Sequence, residues 1–263
     1  MPRVCPLTLE EVARFVEDGF VRLDGVIAPE LAAVGCSLLY DEIRQSQPDF
    51  DEHDSRTWKS PVVRLPGSGA EPFRAAAMNT RLASACNQLV GSGRWIQRTG
   101  LGTFPVRFPH AAQPDDTGWH IDGSFVGPDG SFWANLHSRG RLLLMLFLYT
   151  DIGPRDAPTL IRVGSHRAIP KLLKPYGDPG VFSGEVASQL SNLEEFPIAY
   201  ATGKAGDVYL CHPFLVHAAD RHQGVTPRVL AQPGLDPVDG QLCLDRSDGR
   251  YSPVEQAVLL GLL

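Results

Sequence analysis

His120-Ile121-Asp122 sets an imidazole and a carboxylate two residues apart. In an extended segment residues i and i+2 point to the same face, so both groups can reach one point in space, as a metal ion requires. Three-residue patterns recur by chance, and the context strengthens this one: Trp119 precedes it, and Gly118 and Gly123 bracket it as at a strand end. A third ligand has to come from a distant strand. Phe214-Leu215-Val216-His217 offers one, apolar with a histidine at its end. Asp220 to Val225 reads as a polar turn containing Gly224. In an antiparallel hairpin about the centre of that turn, His217 and Arg228 stand opposite each other and project from the same face. Two histidines and a carboxylate with open positions form the facial triad of non-haem Fe(II) oxygenases. An arginine fork beside such a metal suits a dicarboxylate whose other end binds it, which points to 2-oxoglutarate as cosubstrate and O2 as oxidant.

The remaining histidines, His53, His110, His137, His166, His212 and His222, read as surface or hydrogen-bonded structural residues. His212 competes with His217 for the third ligand position, but it lies between Cys211 and Pro213, at a strand end or turn. The hairpin with Arg228 favours His217. His166 reads as a turn residue. Trp119 and Trp133 serve equally as pocket walls or as packing. Arg141, Arg162 and Lys59 are positioned in sequence where they could meet an anionic substrate, but a solvated charge is the plainer reading for each.

The elements that must position these groups come in two parts. Thr8-Leu9-Glu10-Glu11 is a capping box, and Leu9, Val12, Phe15 and Val16 follow on one helical face before Gly19 stops it. Phe20 to Leu23 alternates as a strand. Pro29 opens a second helix with a stripe of Leu31, Val34, Leu38 and Ile43, and Pro48 ends it. Residues 51–69 read as a surface loop, and about 79–90 as a helix with Leu82, Cys86 and Leu89 inward. From Trp95 short apolar runs alternate with turn residues. Phe104, Val106 and Phe108 alternate, and Leu142 to Tyr149 is a continuous apolar run of buried-strand length. Further strands are expected over 159–163, 207–211, 214–217 and 228–232. The pattern is a helical flank (about 8–92) on an antiparallel barrel or jelly roll (about 94–235), with a tail over 236–263, in a single domain.

These residues carry a family resemblance. Phe15 to Val26 is similar to the N-terminal helix and strand of the phytanoyl-CoA dioxygenase family, and Trp119-His120-Ile121-Asp122 resembles its metal motif. Tyr149 to Ile152 through Ala157-Pro158-Thr159, then Val163-Gly164-Ser165-His166-Arg167, is similar to its central segment. Gly206-Asp207-Val208 to His217, then Arg228, looks like its closing motif. The resemblance spans roughly Leu9 to Gly234. It implies a double-stranded β-helix, cupin-like in architecture, with Fe(II) on His120, Asp122 and His217, and 2-oxoglutarate on Arg228. The implied activity is hydroxylation or another oxidation of a small organic or lipid-like substrate, with release of succinate and CO2. Related halogenases lack the carboxylate, so Asp122 argues against halogenation. Two departures concern the cosubstrate and a turn: Val163 stands where the family often has Pro, and Ala219 where it often has a Ser that donates to 2-oxoglutarate. Thr226 is the replacement hydroxyl that the sequence offers.

Composition bounds the alternatives. With 43% hydrophobic residues the chain can bury a core, and 26 Gly and 22 Pro spread along it favour a turn-rich β fold. A net charge of −6 with no basic cluster disfavours a nucleic-acid partner and leaves no concentrated site for acyl-CoA phosphates. No apolar run is long enough to span a membrane, and Met1 to Glu10 has no signal-peptide core. Cys5, Cys36, Cys86, Cys211 and Cys243, odd in number and widely spaced, read as free thiols of a cytoplasmic protein. Two rival functions use the same fold: a cupin-like isomerase or hydrolase on Zn or Mn, which does not need Arg228, and a binding or regulatory protein without turnover.

Overall fold

The structure, a computed structural model, describes residues 6–263. Its helices are α1 (Leu9–Asp18), α2 (Pro29–Ser46), α3 (Glu71–Ala77), α4 (Thr80–Val90), α5 (Ile169–Leu173) and α6 (Pro253–Leu262). Its strands are β1 (Phe20–Leu23), β2 (Val62–Leu65), β3 (Phe104–Arg107), β4 (Phe125–Val126), β5 (Phe132–Ala134), β6 (Leu143–Leu148), β7 (Thr159–Arg162), β8 (Val181–Phe182), β9 (Ile198–Ala201), β10 (Val208–Cys211), β11 (His217–Ala218), β12 (Leu230–Ala231) and β13 (Gly234–Leu235). The larger sheet runs β1-β10-β6-β12 with β13 also on β6, and the smaller runs β11-β7-β9. All their pairings are antiparallel.

Strand β6 shows why its sequence is apolar without alternation. Leu143, Met145 and Phe147 face the core shared with the helices. Leu144, Leu146 and Leu148 face a second core with Ile161, Leu215 and Leu230, between the two sheets. A strand buried on both faces has no polar side to display. The layers are therefore helices, larger sheet and smaller sheet, the jelly-roll arrangement that the pattern implied.

Several boundaries fall as expected. Thr8 caps α1 in a full capping box with Glu11, and Gly19, at φ 90°, closes it with its N–H on Phe15 O. Helix α4 buries Leu82, Cys86 and Leu89. Helix α2 bears out half of the expected stripe: Ile43 is buried and Leu31 packs against the core. Val34 and Leu38 are exposed, whereas Ala32, Gly35, Cys36, Leu39, Tyr40 and Ile43 are buried. The cause is close approach: a Cβ on Gly35 would lie 2.6 Å from a ring carbon of Tyr149, so this contact selects small residues over large ones.

The expected surface loop over 51–69 contains β2, which pairs with β3 and thereby holds the strand that ends in Arg107. Flanking prolines and a length of four residues hide this strand in the sequence. The presumed C-terminal tail ends in α6, whose Ser252–Glu255 capping box was a readable signal. The helix packs against α1 and α5. Cys36, Cys86 and Cys211 are buried free thiols and Cys243 is half-buried, while Cys5 lies outside the described residues. Among the described residues no helix is long and apolar enough to cross a membrane.

Glu255 anchors α6. Its side chain is buried and accepts from Arg94 Nη1 at 2.9 Å, Ser252 N at 2.8 Å, Cys243 N at 3.0 Å and Arg246 Nε at 3.2 Å. Burial pushes this carboxyl up, but the hydrogen bonds from Arg94, Ser252 and Arg246 outweigh it and bring the pKa down to about 2 from 4.5. A depressed carboxyl stabilises the fold above its unfolded value, and the contribution is lost as pH falls from about 4.5 toward 2. Glu255→Gln is expected to cost about 3 kcal/mol at pH 7, because it leaves two arginines facing a neutral group. Urea titrations at pH 7, 4 and 3 should show the deficit shrinking as the medium becomes acidic; a deficit independent of pH would contradict this assignment.

Candidate active site

His120 lies on an irregular segment after Gly118, and His217 opens β11. They form a reciprocal bridge, with backbone N to O distances of 3.0 Å in each direction. Their rings stand 4.5 Å apart, centre to centre. Each ring is oriented by its own chain. His120 Nδ1 donates to Gly118 O at 2.7 Å and His217 Nδ1 to Leu215 O at 3.0 Å. Carbonyls only accept, so in both neutral rings Nε2 keeps its lone pair for a ligand.

Asp122 Oδ1 lies 3.8 Å from His120 Nε2 and 3.7 Å from His217 Nε2. Metal bonds to such atoms are about 2.0–2.2 Å, so one ion can reach all three. Among the described residues this trio is the group arranged to hold a metal. Asp122 Oδ2 accepts from Arg141 Nη1 at 2.8 Å, which leaves Oδ1 for the ion. Burial pushes the Asp122 carboxyl up, but Arg141, His217 and His120 outweigh it and hold it below the usual range. Burial pushes the His217 imidazole down against the pull of Asp122, which favours the neutral form that ligates.

The hairpin expected between His217 and Arg228 is absent. His217 pairs with Ile161 and bridges His120, whereas Arg228 bridges Arg107, beside the β12 pairing with β6. His217 lies in the smaller sheet and Arg228 just before β12 of the larger one, because the chain crosses between the sheets after β11 instead of turning back. Arg228 is nevertheless buried, and its Nε and Nη1 have no partner among the described residues. Burial and the neighbouring Arg107 push its guanidinium down. Thr226 is exposed, so it does not stand in for the hydroxyl missing at Ala219.

A cavity of about 710 Å³ opens beside the trio, lined by His120, Asp122, Arg141, Arg98, Phe132 and Phe182 among others. Two expectations of solvated charge fail here. Arg141 is paired with Asp122. Arg162 is buried, bonds Glu194 at 2.7 Å, and sits 4.4 Å from the ring centre of Trp119. Lys59 is exposed as expected. Trp119 packs against the core, and Trp133 Nε1 donates to Asp129 at 2.9 Å; Phe132 and Phe182 form the aromatic wall instead.

His212 takes no part in the trio. Its Nε2 bonds Val254 O at 3.2 Å, and its ring lies 4.8 Å from that of His166, whose Nε2 bonds Val16 O at 3.1 Å. Burial pushes both imidazoles down, His166 to about 3, so they stay uncharged and tie α1 and α6 to the sheets. Arg98 and Arg107 were missed in the sequence, and Arg141 was read there as a solvated charge. For Arg107 a signal existed: the alternation of Phe104, Val106 and Phe108 puts a charged residue on the opposite face of a strand that is buried on both.

The fold has solved counterparts. HygX from Streptomyces hygroscopicus, crystallised with nickel and 2-oxoglutarate, is 21% identical, with 88% of each chain covered and a TM-score of 0.59. EctD from S. alaskensis with bound Fe is 19% identical over 94% of this chain and 84% of that one, TM-score 0.61. The epimerase SnoN, in complex with Fe3+, alpha-ketoglutarate and nogalamycin RO, is 19% identical over 93% and 91%, TM-score 0.61. No curated protein matches the sequence significantly. The family model of phytanoyl-CoA dioxygenase matches residues 15–229, from the end of α1 through the metal trio to the residue after Arg228, and the chain belongs to that family.

Proposed function

We propose that this protein is an Fe(II)- and 2-oxoglutarate-dependent dioxygenase that hydroxylates, or otherwise oxidises, a small organic substrate and releases succinate and CO2. The observation that carries the reading is the convergence of His120 Nε2, His217 Nε2 and Asp122 Oδ1 beside a cavity, with a buried arginine that lacks an anion. Two neutral imidazoles and one carboxylate suit Fe(II) and leave positions open for a chelating keto acid and O2. When bound, the iron and 2-oxoglutarate supply O2 activation and couple decarboxylation to a two-electron oxidation of substrate.

The chain supplies the positioning. The carbonyls of Gly118 and Leu215 fix the ring tautomers, and Arg141 fixes which oxygen of Asp122 faces the ion. Arg228 holds the distal carboxylate of the cosubstrate through its fork. Asp122 occupies the third ligand position, which favours oxygen transfer over halogenation. The cavity has the volume of an ordinary small-molecule site. Its two wall arginines are already matched, Arg98 with Asp236 and Arg141 with Asp122, which argues against several CoA phosphates and for a compact metabolite. Fold relatives crystallised with 5-hydroxyectoine, hygromycin B or nogalamycin RO are in keeping with a small-molecule substrate that is not a CoA ester.

Anaerobic addition of 2-oxoglutarate to the Fe(II)-loaded protein is expected to produce the visible charge-transfer band of the chelate, and air should then yield succinate. A panel of lipids, CoA esters, amino acids and terpenoids should identify the substrate by accelerating that yield. A protein that binds Fe(II) but gives neither band nor succinate, and acts hydrolytically or as an isomerase with Zn(II) or Mn(II), would refute the proposal.

A further inference from the structure

Arg107 closes β3 directly across from Arg228. The two exchange backbone hydrogen bonds, 2.9 Å from Arg107 N to Arg228 O and 2.8 Å in return. Residues opposed in this way project their side chains to the same face. Both are buried, with 4% and 2% of their surface exposed. Two guanidinium groups side by side, out of water, are costly unless anions complete them.

One acid meets this pair. Asp116 Oδ2 takes Arg107 Nη2 at 2.5 Å, and the same oxygen takes the half-exposed Arg64 at 2.8 Å. Nε and Nη1 of Arg107, like Nε and Nη1 of Arg228, have no partner among the described residues. Each guanidinium therefore keeps two N–H-bearing nitrogens, on different edges, without an acceptor, and the buried pair holds one positive charge more than Asp116 cancels. His222, buried nearby, accepts from Gly224 N–H at 3.0 Å through Nδ1, which leaves the proton on its Nε2. Burial foremost pushes that imidazole down to about 4, so it adds no charge at neutral pH.

We infer that Arg107 is a second arm of the cosubstrate clasp: unpartnered N–H groups of its guanidinium and of Arg228 together grip one carboxylate, while Asp116 trims their joint charge to match a single anion. This rests on the cosubstrate reading of Arg228 given above. It also accounts for the missing hydroxyl: Ala219 cannot donate and Thr226 is exposed, whereas Arg107 offers donors that nothing else uses. The competing role is structural, with Arg107 serving only to pin the 109–118 segment through Asp116.

The test is calorimetric titration of 2-oxoglutarate into Ni(II)-loaded protein, which reads binding without turnover. Arg107→Met should weaken 2-oxoglutarate about 30-fold or more and leave Ni(II) affinity within threefold. Arg107→Lys, which keeps the charge but not the fork, should lose about tenfold. Asp116→Asn, which removes the trimming charge, should bind 2-oxoglutarate as tightly as the wild type or more tightly. Arg107→Met binding within threefold of wild type would overturn the inference, and so would Asp116→Asn weakening it as much as Arg107→Met, the mark of a purely structural role. If Arg107→Met fails to fold, the lysine and Asp116 variants decide in the same way. Wild-type protein that holds Ni(II) but no 2-oxoglutarate would overturn the cosubstrate reading itself, and this inference with it.

Discussion

Asp122→Ala is expected to abolish iron-dependent succinate formation, with turnover falling on the order of a thousandfold. Changes to groups behind metal ligands typically cost about 10–100-fold in affinity or activity, and removing a ligand should cost more. Asp122 provides the trio's one negative charge as well as its third donor, so the variant presents two neutral imidazoles and no counter-charge. Fe(II) affinity should fall at least as far as outer-shell changes would take it. Stability should change little, because the arginine that loses its partner, Arg141, lines the cavity and can be solvated there. Two measurements separate these effects: anaerobic Fe(II) titration and thermal unfolding of the metal-free protein. Equal turnover in variant and wild type would remove the iron assignment altogether.

Arg228→Met is expected to raise the KM for 2-oxoglutarate about 100-fold, with a smaller fall in kcat. Hydrogen bonds to charged groups contribute roughly 1.5–3 kcal/mol, and methionine keeps the bulk of the side chain while removing both charge and donors. Opposite effects on stability and binding make the experiment sharp. Arg228 is a buried charge with unpartnered nitrogens beside a second guanidinium, so without cosubstrate it costs stability. The metal-free variant should be more stable than wild type by about 1–3 kcal/mol. Adding 2-oxoglutarate to the Ni(II)-loaded proteins should raise the Tm of wild type further and leave that of the Ni(II)-loaded variant nearly unmoved. Unchanged KM for 2-oxoglutarate, or an activity indifferent to this substitution, would favour the rival metalloenzyme that needs no arginine.

The residues of the site were legible to different depths. The trio is readable because two of its three members are local: His120 and Asp122 share a face by backbone geometry alone, and only His217 has to be recruited. Arg228 was singled out through a hairpin that does not exist. The residue assignment stands as a proposal on other grounds, namely its burial and its lack of an anion. Arg141 and Arg107 were misjudged or missed for one reason. An arginine's partner is chosen by proximity in space, and Asp122 and Asp116 lie 19 and 9 residues away, at spacings for which no periodicity forecasts contact. Half of the stripe expected on helix α2 failed in a related way: the buried face is set by how closely Tyr149 approaches Gly35, a property of two surfaces and not of one.

By itself the sequence determined the local events. These are the capped start and glycine stop of α1, the doubly buried strand β6, the two-residue spacing of imidazole and carboxylate, and the turn-rich β body. Each depends on backbone geometry or on burial patterns within a few residues. The tertiary structure alone decided that His217 joins the smaller sheet and bridges His120, that β2 braces β3, and that α6 closes the helical layer. It also decided that Arg107 and Arg228 share one buried face. These are consequences of strand pairing between residues far apart in the chain, and pairing is settled by the packing of whole layers, which no short window of sequence contains.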